Sequence, residues 1–234
     1  MKIVFVGPTL PDASKQTGTE TGIVVAPPAR QGDIMDAVAA GATEIGIVDG
    51  YFEYVAPVWH KEILFALHRG CRVYGAASMG ALRACECHPY GMEGIGQIYE
   101  DYRNGRRVDD GDVALLHGPA ELNYHPLTIP LVNIDATLGR ALERSFIDER
   151  ERDALASASR ALFFKERTWK RIAQESAFPT DRIREMLADC SVDQKREDAL
   201  MLMREVRHCG DSPRSPPLWP FHTTPTWRRL YGDI

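Results

Sequence analysis

Ser78 lies in "VYGAASMGALRACE", residues 73–86, on a turn made almost wholly of glycine and alanine. A serine hydroxyl acts as a nucleophile when small neighbours leave it accessible, a base is within reach and amide donors stabilise the developing negative charge. "RVYGAA" reads as a strand and "MGALRACE" as the helix that follows, so Ser78 falls at a strand-to-helix junction, where a nucleophile elbow would be. Against the G-x-S-x-G pattern, Ala76 replaces the first glycine and Gly80 keeps the second. The other reading of Ser78 is a helix N-cap, a position serine favours. Residues 1–138 contain only two serines, Ser14 and Ser78, so this half of the chain uses serine sparingly.

A nucleophilic serine needs a base. His60, His68, His88, His117 and His125 are available in the same half, and His117 is the best placed because it ends a predicted strand in "DVALLHG". Lysine is the other choice, and only Lys2, Lys15 and Lys61 precede residue 139. Lys61 belongs to "PVWHKEILFALHRG", where steps of about 100° per residue set it between Leu64 and Phe65 on a helix that is apolar nearly all the way round. Burial there would disfavour the ammonium and make Lys61 a neutral base, whereas snorkelling to solvent would leave it an ordinary surface lysine. Cys85 and Cys87 flank Glu86, but side chains two apart on a helix diverge by about 200°, so no metal is expected between them.

These residues must be positioned by the elements around them. In the N-terminal half, "KIVFVG", "GIVVAP", "EIGIVDG" and "RVYGAA" alternate with helical patterns, which predicts an α/β fold with a mainly parallel sheet and flanking helices. "GIGQIYEDYRNG" reads as a further helix and "DVALLHG" as a further strand. After "NYHPLTIP" the texture becomes all-helical, with Asp148, Thr180 or Asp181, and Asp193 as candidate N-caps. The last segment contains five of the 15 prolines and two tryptophans and reads as an extended tail. The expected organisation is an α/β core over residues 1–130, a helical region over 131–209 and the tail over 210–234.

The formal charge is −5, and neither half is basic enough to suggest a nucleic-acid partner. The opening "MKIVFVGPTLPD" stops being apolar after six residues, and no apolar run approaches the roughly 20 residues of a membrane span. Five irregularly spaced cysteines fit free thiols in a reducing compartment, so a cytoplasmic protein is expected.

"GPTL" after the first strand, "DGYF", "WHKEILFAL", "GAASMGALRACE" and "DDGDVALLHGP" stand in the same order as in TfuA-like proteins, and the chain resembles that family over about residues 1–130. The resemblance implies a partner of YcaO enzymes, which use ATP to activate a peptide backbone amide when installing thioamides. It further implies a hydrolase-like Ser-Lys site that cleaves the C-terminal thiocarboxylate of a ThiS-like sulfur-carrier protein and releases sulfide for that reaction, with no cofactor of its own. Carried over by motif, the serine is Ser78 in "SMGALRA" and the lysine is Lys61 in "HKEIL". On this reading the Met79 and Gly80 amides stabilise the oxyanion, Thr9 and Asp49 line the rim at the ends of the first and third strands, and His117 orients water.

A rival reading makes the protein a non-catalytic adaptor that binds a YcaO enzyme and promotes its engagement of the peptide substrate, with Ser78 only a helix cap. A nucleotide-binding module is poorly supported, since "GPTLPDASKQTG" lacks both G-x-G-x-x-G and the phosphate-loop spacing.

Overall fold

The computed structural model describes residues 1–17, 22–51, 53, 55–208, 215 and 217–232. Phe52 of "DGYF", Cys209 and residues 210–214, 216, 233 and 234 of the expected tail lie outside the described residues.

The strands are β1 (Lys2–Phe5), β2 (Ile23–Ala26), β3 (Glu44–Ile47), β4 (Arg72–Ala76) and β5 (Glu93–Ile95). The helices among them are α1 (Ala13–Thr17), α2 (Asp33–Ala39), α3 (His60–His68), α4 (Met79–Cys87) and α5 (Gln97–Arg103). After them come α6 (Leu131–Glu143), α7 (Glu149–Ala161), α8 (Trp169–Glu175), α9 (Thr180–Cys190), α10 (Gln194–His208) and α11 (Pro225–Tyr231). The fold is α/β: all five strands are parallel, in the order β2-β1-β3-β4-β5.

Residues alternate between the two faces of the sheet, so the near-continuous apolar strands feed two cores. Ile3, Phe5, Ile45, Ile47 and Val73 pack with Ile34, Ile63, Ala81 and Ile98 from α2 to α5. Val4, Val48, Tyr74 and Ala76 pack with Ala199, Leu202, Met203 and Val206 of α10. The second face is thus covered by a helix from the far end of the chain. Helices α6 to α9 make a core of their own, with Ile134, Leu138, Leu155, Ile172 and Met186 at its centre.

Three local expectations are corrected. "DVALLHG" forms no strand: residues 113–116 are irregular and His117 makes only an isolated bridge to Pro126. The edge position beside β4 goes instead to Glu93–Ile95, where Gly94 lets the Tyr99 ring lie against the strand, since a Cβ there would come within 2.1 Å of it. The N-cap position of α9 is Pro179 rather than Thr180 or Asp181, while Asp148 forms a full capping box with Glu151 and Asp193 accepts from Arg196 N. Within the tail expected to be extended, Pro225–Tyr231 is helical, because Thr224 caps it and Pro225 occupies its first turn. Trp227 is fully buried there against Met35 and Phe65.

Candidate functional site

In this strand order the sequence of the sheet reverses between β1 and β3, and ligands of such sheets bind at the carboxyl ends of the strands near that point. Asp49 follows β3 and Ser78 follows β4 at that end. The Ser78 turn is tight: Ala77 has φ +64°, and Ser78 N–H donates to Ala76 O at 2.7 Å. A left-handed non-glycine residue in such a three-residue turn costs on the order of 1–3 kcal/mol, strain of the kind that collects at functional sites. Two glycines make the close approach of α4 possible. A Cβ on Gly80 would lie 1.7 Å from Ile47 O, and one on Gly75 would lie 2.1 Å from Gly80 O. Ser78 occupies the N-cap position of α4, yet its side chain makes no capping bond.

The hydroxyl meets a lysine instead. Lys195 Nζ is hydrogen-bonded to Ser78 Oγ at 3.0 Å and donates to Val113 O at 3.0 Å. Lys195 stands in the first turn of α10, on the buried stripe that continues through Asp198, Ala199, Leu202, Met203 and Val206. Burial lowers its pKa from the ordinary lysine value, and the nearby Asp49 carboxylate opposes that shift without reversing it. A neutral amine here has one N–H satisfied by Val113 O and a lone pair free to take the serine proton.

Asp49 is itself fixed. Its Oδ2 accepts from Gly7 N at 2.8 Å and Thr9 N at 3.0 Å, and its Oδ1 accepts from Thr9 Oγ1 at 2.6 Å and lies 3.9 Å from Lys195 Nζ. The first loop, β3 and α10 therefore converge on one polar cluster beneath Ser78.

Two cavities meet at Gly50, Ser78, Val113, Ala114 and Phe164. The larger, about 1230 Å³, runs along the Met79, Leu82, Arg83 and Glu86 face of α4. The smaller, about 420 Å³, holds Asp49, His117 and Lys195.

Not every expected site residue is brought together. Lys61 does not reach Ser78: it is half-buried, with Nζ 5.4 Å from the Phe221 ring centroid. The reason is that α3 turns Ile63, Ala66 and Leu67 to the core and leaves Lys61 facing the C-terminal tail. The Gly80 amide is not open to an oxyanion, because it already donates to Val48 O at 3.1 Å. Met79 N–H has no partner among the described residues. Thr9 sits behind Asp49 rather than on the cavity wall, while Asp49 and His117 both line the smaller cavity. The His117 Nδ1–H donates to Gly118 O at 2.7 Å.

Lys195 was not among the residues singled out from the sequence. A signal for it existed: in "DQKREDALMLMREV" it shares helical phase with the apolar stripe and not with the charged face. The two thiols of α4 are unsuited to nucleophilic work, since burial raises the pKa of Cys85 and pushes that of Cys87 up to about 12.

A family model described as TfuA-like protein matches residues 49–168, a span that contains Asp49, Ser78, Val113 and His117 and ends before Lys195. No curated protein matches the chain. Among the described residues, no helix is long and apolar enough to cross a membrane.

Proposed function

The chain belongs to the TfuA-like family, and we propose that it is a sulfur-delivery hydrolase that cleaves the C-terminal thiocarboxylate of a ThiS-like sulfur-carrier protein, supplying sulfide to a YcaO partner for peptide backbone thioamidation. The observation that carries this reading is the 3.0 Å contact between Ser78 Oγ and the buried Lys195 Nζ at the junction of two cavities. In the first step neutral Lys195 takes the Ser78 proton as Oγ bonds to the thiocarboxylate carbon. The C–S bond then breaks, the proton passes to sulfur, and HS⁻ leaves an acyl ester on Ser78. In the second step water, deprotonated through Lys195, attacks that ester and yields the carrier carboxylate, a proton and free Ser78. Met79 N–H, at the start of α4, is the amide donor available to the oxyanion in both steps.

The adaptor alternative needs Ser78 only as a cap, and Ser78 makes no capping bond. The test is sulfide release from a thiocarboxylated carrier, followed colorimetrically with mass spectrometry of the carrier C-terminus. Ser78→Ala is expected to abolish release while the circular dichroism spectrum is unchanged. Wild-type rates in that variant would refute the assignment.

A further inference from the structure

The three donors that fix Asp49 all come from the first loop, so this buried carboxylate is set in place before Lys195 is considered. Its Oδ1 faces Lys195 Nζ at 3.9 Å, too long for a hydrogen bond and within ion-pair range. Three oxygens therefore surround Nζ: Ser78 Oγ and Val113 O at 3.0 Å each, and Asp49 Oδ1 behind them. A neutral amine has two N–H donors and a lone pair, whereas an ammonium has three donors. Three acceptors, one of them charged, suit the ammonium better. The ammonium is the form that arises when the Ser78 proton is taken up. The two side chains are only 3% and 4% exposed, so their attraction is far less screened than in water.

Other charges face the same amine. Asp193, just before α10, acts on it from a distance and is itself held by Asn133 and Arg196 N–H. Tyr51, His117 and the Glu53–Lys165 ion pair line the smaller cavity, and Tyr124, pushed up to about 12 by burial, senses the Asp49 charge. Among the described residues, Asp49 is the carboxylate within 4.0 Å of Nζ.

We propose that Asp49 is a positioning residue of the Ser78–Lys195 pair: a fixed negative charge that steadies Lys195 Nζ and stabilises its ammonium while the serine oxygen bonds to the acyl carbon. This rests on the hydrolase reading and adds a third member to it. The proton leaves Ser78 Oγ, resides on Nζ and passes to sulfur, and Asp49 stays a carboxylate throughout.

The test is Asp49→Asn in the full chain. The amide has the same shape: its oxygen can accept from Gly7 N and Thr9 N while its NH2 donates to Thr9 Oγ1, so only the charge is lost. The surrounding groups are the same in both proteins, so the difference between their pH profiles reports that charge alone. In sulfide release from a thiocarboxylated carrier, kcat should fall about ten- to a hundredfold with KM within about threefold. The acid limb of kcat/KM should move to lower pH by about one unit or more, because the carboxylate that favoured the ammonium is gone. The same displacement can be read without turnover, as a lower pH at which urea stability begins to rise with Lys195 deprotonation. A residue that merely packed the site would act in the opposite sense, since its loss would admit water and move both readings to higher pH. Unmoved or upward-moving readings would overturn the positioning role while leaving the hydrolase intact. Failure of the wild type to release sulfide would overturn the hydrolase reading, and the positioning role with it.

Discussion

Replacing Lys195 by methionine separates the two lysines that the sequence and the structure nominate. The change removes the amine 3.0 Å from Ser78 Oγ, the base of the proposed mechanism, and keeps an unbranched apolar stem on the buried stripe of α10. Loss of a positioned general base costs about a hundred- to ten-thousandfold in rate, or roughly 2.7–5.4 kcal/mol of barrier. Stability responds to different terms. Val113 O loses its donor, a cost of about 1–3 kcal/mol, while a buried amine and its desolvation disappear. The net change in folding free energy is therefore expected within about 2 kcal/mol in urea titration, too little to unfold the protein during an assay. Lys195→Arg keeps a cation that cannot deprotonate and should be equally inactive, which distinguishes a base from a charge. Lys61→Met, at the tail, should retain wild-type turnover. In the wild type, kcat/KM should fall as pH drops through the Lys195 pKa, which burial sets below the ordinary 10.5. Sulfide release at wild-type rates by Lys195→Met, or inactivity of Lys61→Met alone, would refute the assignment.

Stability should carry the signature of the same amine. Between its lowered folded pKa and 10.5 the unfolded chain holds a proton that the folded chain does not, so the Lys195 contribution grows as pH rises through that window and is largest above it. Urea titrations at stepped pH should reveal that slope in the wild type and its loss in Lys195→Met. Gly80→Ala should cost about 3 kcal/mol or more by chemical denaturation, since its Cβ would meet Ile47 O at 1.7 Å and backbone must move. Trp227→Ala should cost about 3–5 kcal/mol by the same measurement, because the ring is fully buried against Met35 and Phe65.

The sheet was legible because a parallel strand buried on both faces leaves a run of β-branched residues between loops, as "KIVFVG" and "EIGIVDG" do. The serine was legible because its turn is bounded by Gly75 and Gly80, and close backbone approach at both positions demands glycine. "DVALLHG" misled because strand composition reports a buried extended surface and does not say whether a neighbour in the same chain completes the ladder. Lys61 misled for a related reason. Its helix is apolar on two sides, one facing the sheet and one facing Phe221 and Trp227, and the pattern does not distinguish a core from a docked tail.

Lys195 was hidden by distance along the chain, and that distance has a chemical consequence. In the proposed mechanism the lysine serves as a base only while desolvated, and it is desolvated only when α10 seats Ala199, Leu202 and Met203 on the sheet. Asp198, one turn on, accepts from Gln97 N and Ile98 N at the start of α5, tying the same end of α10 to the α/β layer. Ser78 and Lys195 thus belong to segments that meet through the packing of the second face of the sheet. A disturbance that loosens α10 should admit water, raise the lysine pKa toward its ordinary value and reduce activity before the sheet itself gives way. In a urea series, sulfide release should therefore decline at a lower denaturant concentration than far-ultraviolet circular dichroism. Coincident transitions would mean that α10 and the sheet unfold as one unit.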